Sequence, residues 1–160
     1  ANWESRDISS SEKAAILLAA QTSRPLTNGD FSAGIQGWTA EGDRGSSGVY
    51  VTPSGPSFTT YGGHKDSDTS RLYQCFEVPE YALALRFSLF GGSDETRRYV
   101  ALWREGRVWQ HATALNDNTP FVVEWDLKPL RGEVVTLEIV DHARGPWGFI
   151  SARDFAIVRH

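Results

Sequence analysis

Hydrophobic and polar residues alternate most regularly in the last third of the chain, over residues 121–159. A period of two places successive side chains on opposite faces of an extended chain, so each run predicts a strand with one buried face. The apolar positions form three groups and predict three strands: Phe121, Val123 and Trp125; Val135, Leu137 and Ile139; Phe155 and Ile157. Between the last two strands the alternation stops, which predicts a loop over residues 141–151.

Shorter runs of the same kind begin at residue 25. The runs RLYQCFEV and ALALRFSLF predict two longer strands, and RYVALWR and RVWQHATA, separated by Glu105 and Gly106, predict a hairpin. Roughly eight to ten short strands divided by Gly, Ser, Asn, Asp and Pro, with no helical pattern between them, are typical of an all-β sandwich. We therefore predict an antiparallel two-sheet β-sandwich.

The first 24 residues differ from this pattern. Ser11 is followed by Glu12, Lys13 and the run AAILLAAQ, which predicts a short N-terminal helix capped by a serine. This helix either packs across the sandwich or ends a linker from another domain, and the sequence leaves both possibilities open. We divide the chain into a helical extension or linker, residues 1–24, and a sandwich domain, residues 25–160.

The chain is rich in aromatic residues, with six Trp, five Tyr and eight Phe. This composition is typical of an all-β protein, and also of proteins that stack on sugars or bases. Trp38, Trp103 and Trp125 lie on predicted strands and are expected in the core, whereas Trp109 could face either side. The single cysteine, Cys75, lies within a strand and is expected to be a buried, unreactive thiol.

The net charge of −4 and the lack of a Lys/Arg cluster exclude a nucleic-acid partner, because phosphate binding depends on clustered positive charge. No apolar run approaches the roughly 18 residues needed to cross a bilayer, so we expect no membrane span. The chain begins at Ala1 without Met, and we expect that it comes from a longer parent chain with neighbouring domains.

The loop over residues 141–148 is the leading candidate for ligand binding. Trp147 lies between a proline and a glycine, with Asp141, His142 and Arg144 before it. A sugar presents an apolar face and a ring of hydroxyls, so a binding site needs an aromatic plane with donors and acceptors nearby. The alternative is that Trp147 closes one end of the sandwich while Arg144 pairs with a surface carboxylate.

The run from Thr59 to Tyr73 is the second candidate. It places Tyr61, His64 and Arg71 in or beside a glycine-containing connection, where Arg71 could project at a sheet edge and grip two hydroxyls. Both candidate loops could meet at one end of the sandwich. The alternative is a solvated loop whose Asp residues form local turns.

Four motifs resemble one known kind of module. NGDFSAGIQGW near the start, RLYQCFEV with ALALRFSLF, TLEIVD, and WGFISARDF near the end resemble galactose-binding-like jelly-roll modules found appended to glycoside hydrolases. The closing motif has Phe149 where His is usual, and Arg153 in place of one of two acids. The resemblance implies carbohydrate binding without catalysis, and one structural calcium held by Asn28, Asp30 and Asp154.

We therefore expect a noncatalytic module that binds an oligo- or polysaccharide and accompanies a larger extracellular or periplasmic protein. The alternative is a structural or protein-interaction sandwich with no small ligand. A hydrolase is disfavoured, because no carboxylate pair, nucleophile elbow or zinc spacing is marked by its sequence context.

Overall fold

The computed structural model describes residues 24–42, 48–52, 55–59, 70–93, 98–141 and 150–159. These ranges contain the following strands: β1 Thr39–Gly42, β2 Gly48–Thr52, β3 Gly55–Thr59, β4 Ser70–Glu77, β5 Ala82–Gly91, β6 Arg98–Arg104, β7 Arg107–Ala112, β8 Asp117–Asp126, β9 Val134–Asp141 and β10 Ile150–Arg159. A 3₁₀ turn, Lys128–Leu130, follows β8. Within the described ranges, no helix has the length and apolar character needed to cross a membrane.

The strands pair into two five-stranded sheets. The first sheet has the order β1-β4-β9-β6-β7 and the second has the order β2-β3-β10-β5-β8. Every strand pairing is antiparallel. The predicted antiparallel two-sheet β-sandwich is therefore confirmed. The predicted N-terminal helix lies outside the described residues.

The main apolar core lies between the two sheets. The ring centroid of Phe87 in β5 is 4.7 Å from that of Phe155 in β10 and 4.9 Å from that of Trp125 in β8. Trp38, just before β1, stacks on Phe31 at 5.2 Å. Trp38 and Trp125 thus belong to the core, as predicted. Each buried ring of this size stabilises the fold by about 1.5–3 kcal/mol.

The first sheet also buries its outer face, the face turned away from the second sheet. Leu137 and Ile139 of β9 join the main core, whereas Val140 joins a second cluster with Tyr99 and Trp103 of β6. The prediction that β9 buries only one face is therefore wrong, because β9 is the middle strand of its sheet and its side chains are buried on both faces. Trp103 is buried as expected, but outside the core between the sheets.

The predicted hairpin is formed by β6 and β7. Glu105 and Gly106 at its turn both have positive φ, 51° and 77°, as the tight turns that match strand twist require. In β7 a bulge sets Trp109 and Gln110 opposite Leu102, and Trp109 packs against the main core. This settles the side that Trp109 faces.

The described part of the sandwich begins with a segment that runs along the edge of β4. The N–H of Glu77 donates to the carbonyl of Arg24 at 2.7 Å. Further along, the N–H of Thr27 donates to Gln74 Oε1, and Gln74 Nε2 donates to the carbonyl of Thr27, both at 2.9 Å. The chain therefore joins the first sheet from Arg24 onward, while the division at residues 24 and 25 stays a prediction.

Candidate functional site

The loops that carry most of the predicted binding residues start and finish at one end of the sandwich. Tyr61 and His64, like His142, Arg144 and Trp147, lie outside the described residues. The residues that anchor these loops are described, and they are paired across neighbouring strands: Thr59 with Ser151, and Ser70 with Asp141. We call the end of the sandwich that holds these four anchors the loop end.

The two predicted binding residues that the structure describes lie on opposite faces of the first sheet. Arg71 is paired with Val140, one residue before Asp141 along β9. Side chains alternate between faces along a strand, so Arg71 faces outward with Val140 while Asp141 faces inward. Both side chains are buried. Arg71 does not project at a sheet edge as predicted, because β4 lies between β1 and β9.

Arg71 takes part in a buried polar network on the outer face, formed with Glu138 of β9 and Trp103 of β6. Arg71 Nε donates to Glu138 Oε2 at 2.9 Å, and Trp103 Nε1 donates to Glu138 Oε1 at 2.7 Å. Both carboxylate oxygens are therefore engaged. The guanidinium also lies 4.1 Å from the ring centroid of Tyr73, on the same strand. The network joins the three central strands of the first sheet.

Aromatic and small apolar side chains surround the polar network. Tyr99, which is 0% exposed, packs with Ala101, Trp103 and Val140. Val108 of β7, which is partly buried, packs against this group. The outer face thus combines aromatic rings with a fixed cation and a fixed anion. Because these side chains are buried and hydrogen-bonded to one another, this face stabilises the sheet and does not itself present an open site to a ligand.

Sequence reasoning missed Glu138, Tyr99 and Tyr73. Their signal was the alternation along the strands. In RLYQCFE and RYVALW the core residues are even-numbered, so Tyr73 and Tyr99 fall on the other face. In TLEIVD the core residues Leu137 and Ile139 are odd-numbered, so Glu138 falls on that same outer face. Cys75 belongs to the same face. Its Sγ lies 3.1 Å from Thr136 Oγ1, and burial raises the pKa of the thiol, so the prediction of a buried thiol is confirmed.

The three residues predicted to hold calcium lie near one another. Asn28 and Asp30 precede β1, and Asp154 lies in β10. The N–H of Phe155 donates to the carbonyl of Gly29 at 2.9 Å, which joins the two segments. A Cβ at position 29 would overlap the carbonyl oxygen of Phe155, so the close approach requires glycine.

The side chain of Asn28 closes its own loop. Its Nδ2 donates to the carbonyls of Gly34 and Gln36 at 2.9 Å, and its Oδ1 accepts the N–H of Ala33 at 3.0 Å. The carbonyl of Asn28 accepts the indole N–H of Trp38 at 3.0 Å. These bonds hold the loop in place against the core and leave the amide oxygen already engaged.

The remaining oxygen ligands are few. Asp30 Oδ1 accepts the N–H of Ser32 at 3.0 Å, and this hydrogen bond lowers the pKa of Asp30. Asp154 is exposed, with Arg153 Nε 3.7 Å from its Oδ2. Calcium takes six to eight oxygen ligands, and the described residues contain no group of three or more His, Cys, Asp or Glu able to hold a metal. As they are placed, Asn28, Asp30 and Asp154 do not supply the oxygen ligands that calcium needs. The calcium site stays a prediction that these contacts do not support.

We expect removal of calcium to leave the melting temperature within about 1 °C of its starting value, because hydrogen bonds close the loop without a cation. The measurement is thermal unfolding of the full chain in EGTA, and again after calcium is restored. A fall in EGTA that calcium reverses would show a cation site that these contacts do not account for.

Comparison with known proteins gives one curated relative and several similar structures, while no protein-family model matches. The chain is 28% identical over 135 residues to a protein of Aspergillus rugulosus named "Putative glycosyl hydrolase ecdE". The alignment covers 77% of this chain and 19% of that protein, so the chain spans about a fifth of its relative's length.

The carbohydrate-binding module TmCBM61, solved with β-1,4-galactotriose, matches 86% of this chain and 100% of its own, with a TM-score of 0.54 and 17% identity. The family 11 carbohydrate-binding module of the cellulase Lic26A-Cel5E from Clostridium thermocellum matches 87% and 96%, with a TM-score of 0.50 and 11% identity. The K1 cleaved adhesin domain of Lys-gingipain from Porphyromonas gingivalis W83 matches 82% and 96%, with a TM-score of 0.54 and 11% identity.

At these identities the likeness concerns the fold. It confirms the resemblance in that respect: the chain has the jelly-roll β-sandwich fold of carbohydrate-binding modules.

Proposed function

We propose that this chain is a noncatalytic carbohydrate-binding module that holds an oligo- or polysaccharide at the loop end. On this proposal Trp147 or Tyr61 stacks on the apolar face of a sugar ring. Arg144, His142 and His64 bind its hydroxyls. Two of the similar structures are carbohydrate-binding modules, one of them with β-1,4-galactotriose, which supports a saccharide as the ligand class.

The observation that carries the proposal is the common anchoring of the two candidate loops. Their ends are paired as Thr59 with Ser151 and Ser70 with Asp141, so an aromatic residue from one loop can work with basic residues from the other. A rigid sheet under a pair of loops is a frequent way to hold binding residues in position.

Arg71 and Asp141 have a different role in this proposal from the one predicted. Both are buried in strands at the base of the loops, Arg71 within the polar network and Asp141 at the last position of β9. We assign them to positioning the loops, because a buried side chain engaged inside a sheet is poorly placed to reach a hydroxyl above it.

A site of this kind binds weakly by itself, because it gains little beyond one stack and a few solvated hydrogen bonds. Weak binding suits an accessory role, in which the module keeps a partner catalytic domain near its polysaccharide. The chain spans about a fifth of the glycosyl hydrolase to which it is similar, which supports a longer parent protein. We place that parent outside the cell or in the periplasm.

The test separates binding from catalysis on the same material. The full chain is passed over insoluble polysaccharides and affinity gels that include β-1,4-galactan, and the reducing ends released by the retained protein are measured. We expect retarded migration on at least one polysaccharide and no release of reducing ends above a protein-free control. Release of reducing ends would contradict the noncatalytic assignment and favour a hydrolase.

A further inference from the structure

A cavity of about 440 Å³ opens on the side of the sandwich, towards the end opposite the loop end. It lies between the segment that precedes β1 and the second half of β10. Leu26, Phe155 and Ile157 form its apolar inner part, since they pack in or against the main core. Arg24, Glu77 and Tyr81 line its exposed part, and Tyr81 is 47% exposed. The volume is in the range of ordinary ligand sites, roughly 300–1,000 Å³.

Within the described part of the chain, no strand pairs with one edge of β10 beside this cavity. β5 pairs with β10 along to Arg159, whereas β3 pairs with only two residues near the start of β10. The N–H of Phe155 points away from β5, because it donates to the carbonyl of Gly29. Every second residue of a strand directs its backbone groups to the same side, so the N–H and C=O of Ile157 point towards the cavity. Among the described residues, no backbone hydrogen bond reaches Ile157 from that side.

We propose that this cavity binds an extended polypeptide segment, which adds a short strand to the open edge of β10. The backbone of the segment bonds to the N–H and C=O of Ile157, and one apolar side chain enters between Leu26 and Phe155. Arg24 at the exposed part favours an acidic residue next to that apolar one. An unpaired strand edge is a template for another strand, and here it adjoins a cavity with an apolar inner part.

A peptide fits this cavity better than a sugar. The guanidinium of Arg159 lies 4.3 Å from the ring centroid of Tyr81, so one face of this exposed ring is already covered. The inner part is lined by Leu26, Ile157 and Phe155, and Phe155 is only 4% exposed, so its ring offers no open plane to a sugar. This site is separate from the loop end and does not depend on the proposed saccharide site.

The probes are two blocked pentapeptides, acetyl-Thr-Glu-Val-Lys-Thr-amide and acetyl-Thr-Lys-Val-Glu-Thr-amide. Each is titrated into the ¹⁵N-labelled full chain and followed by NMR. We expect one of the two to shift the amide signals of Leu26 and Ile157. The bound peptide should protect the Ile157 amide, so that this amide exchanges its hydrogen only in the protein molecules that are still free. The exchange rate should therefore fall about tenfold when ~90% of the protein is bound.

Charge reversal supplies the specificity control. Arg24→Glu should reverse the preference between the two peptides, because Arg24 is exposed and its charge selects the flanking residue. Leu115→Ala, at an exposed residue that does not line the cavity, should leave the preference unchanged. Three results would overturn the proposal: no response of Ile157 to either peptide in the folded protein, response to galactotriose instead, or signals that shift with protein concentration alone and so report a second copy.

Discussion

Replacing Glu138 by alanine is expected to destabilise the fold by about 3–5 kcal/mol. The side chain is 0% exposed, and its two oxygens accept hydrogen bonds from Arg71 and Trp103. Without it a buried guanidinium loses its counter-ion and an indole N–H loses its acceptor, and both costs are large away from water. Urea unfolding of the variant and of the unchanged chain measures the difference.

Two controls separate the charge from the packing. The double variant Arg71→Met with Glu138→Leu removes both charges, so we expect it to recover the part of the loss that comes from the unpaired guanidinium, while the Trp103 indole N–H still lacks its acceptor. Arg86→Ala breaks an exposed pair with Glu124, whose side chains are 52% and 48% exposed, and should cost under about 1 kcal/mol. A Glu138→Ala variant as stable as Arg86→Ala would show that the network does not support the sheet.

Replacing Trp147 by alanine is expected to lower retention on the cognate polysaccharide at least about tenfold, because the ring is proposed to be the main stacking surface. The melting temperature should stay within about 2 °C, since a ligand-facing indole adds little to the core. Affinity electrophoresis and thermal unfolding on the same preparation provide both values.

Trp125→Ala is the matched control. Trp125 packs against Phe87 in the main core, so its loss should cost roughly 3–5 kcal/mol and lower the melting temperature sharply. If Trp147→Ala unfolded the chain to the same extent, Trp147 would belong to the core and the stacking role would fall.

Most strands, and the single buried face of β8, could be predicted because they depend on local alternation, whereas the second buried face of β9 could not. The period of two in Phe121, Val123 and Trp125 fits β8, and the Glu105–Gly106 turn defines the hairpin through its backbone conformation. Trp38 and Trp125 follow from the same rule. These features need only neighbouring residues, which the sequence provides directly.

The polar network could not be predicted in the same way. Arg71 and Glu138 are 67 residues apart in the chain and meet because β4 pairs with β9 in one particular register. Strand order also decides that β4 is an internal strand, which is why the expectation of Arg71 at a sheet edge was wrong. Pattern alone does not give strand order, because any strand with a suitable apolar face could occupy that position.

The calcium set shows the limit of carrying ligands over from a resemblance. Asn28 and Asp154 are brought near each other, as the motif implied, through the bond between Gly29 and Phe155. The sequence could not show that the Asn28 amide would be used to close its own loop, since that depends on the loop's backbone conformation. Proximity was therefore predictable from the motif, and ligand availability was not.

The central proposal, that this chain recognises a saccharide without cleaving it, is tested most directly by a glycan array probed with the fluorescently labelled, folded full chain. We predict binding to at least one related series of oligosaccharides, with the signal lost in Trp147→Ala and kept in Leu115→Ala. A folded chain that binds no glycan across the array would contradict the proposal.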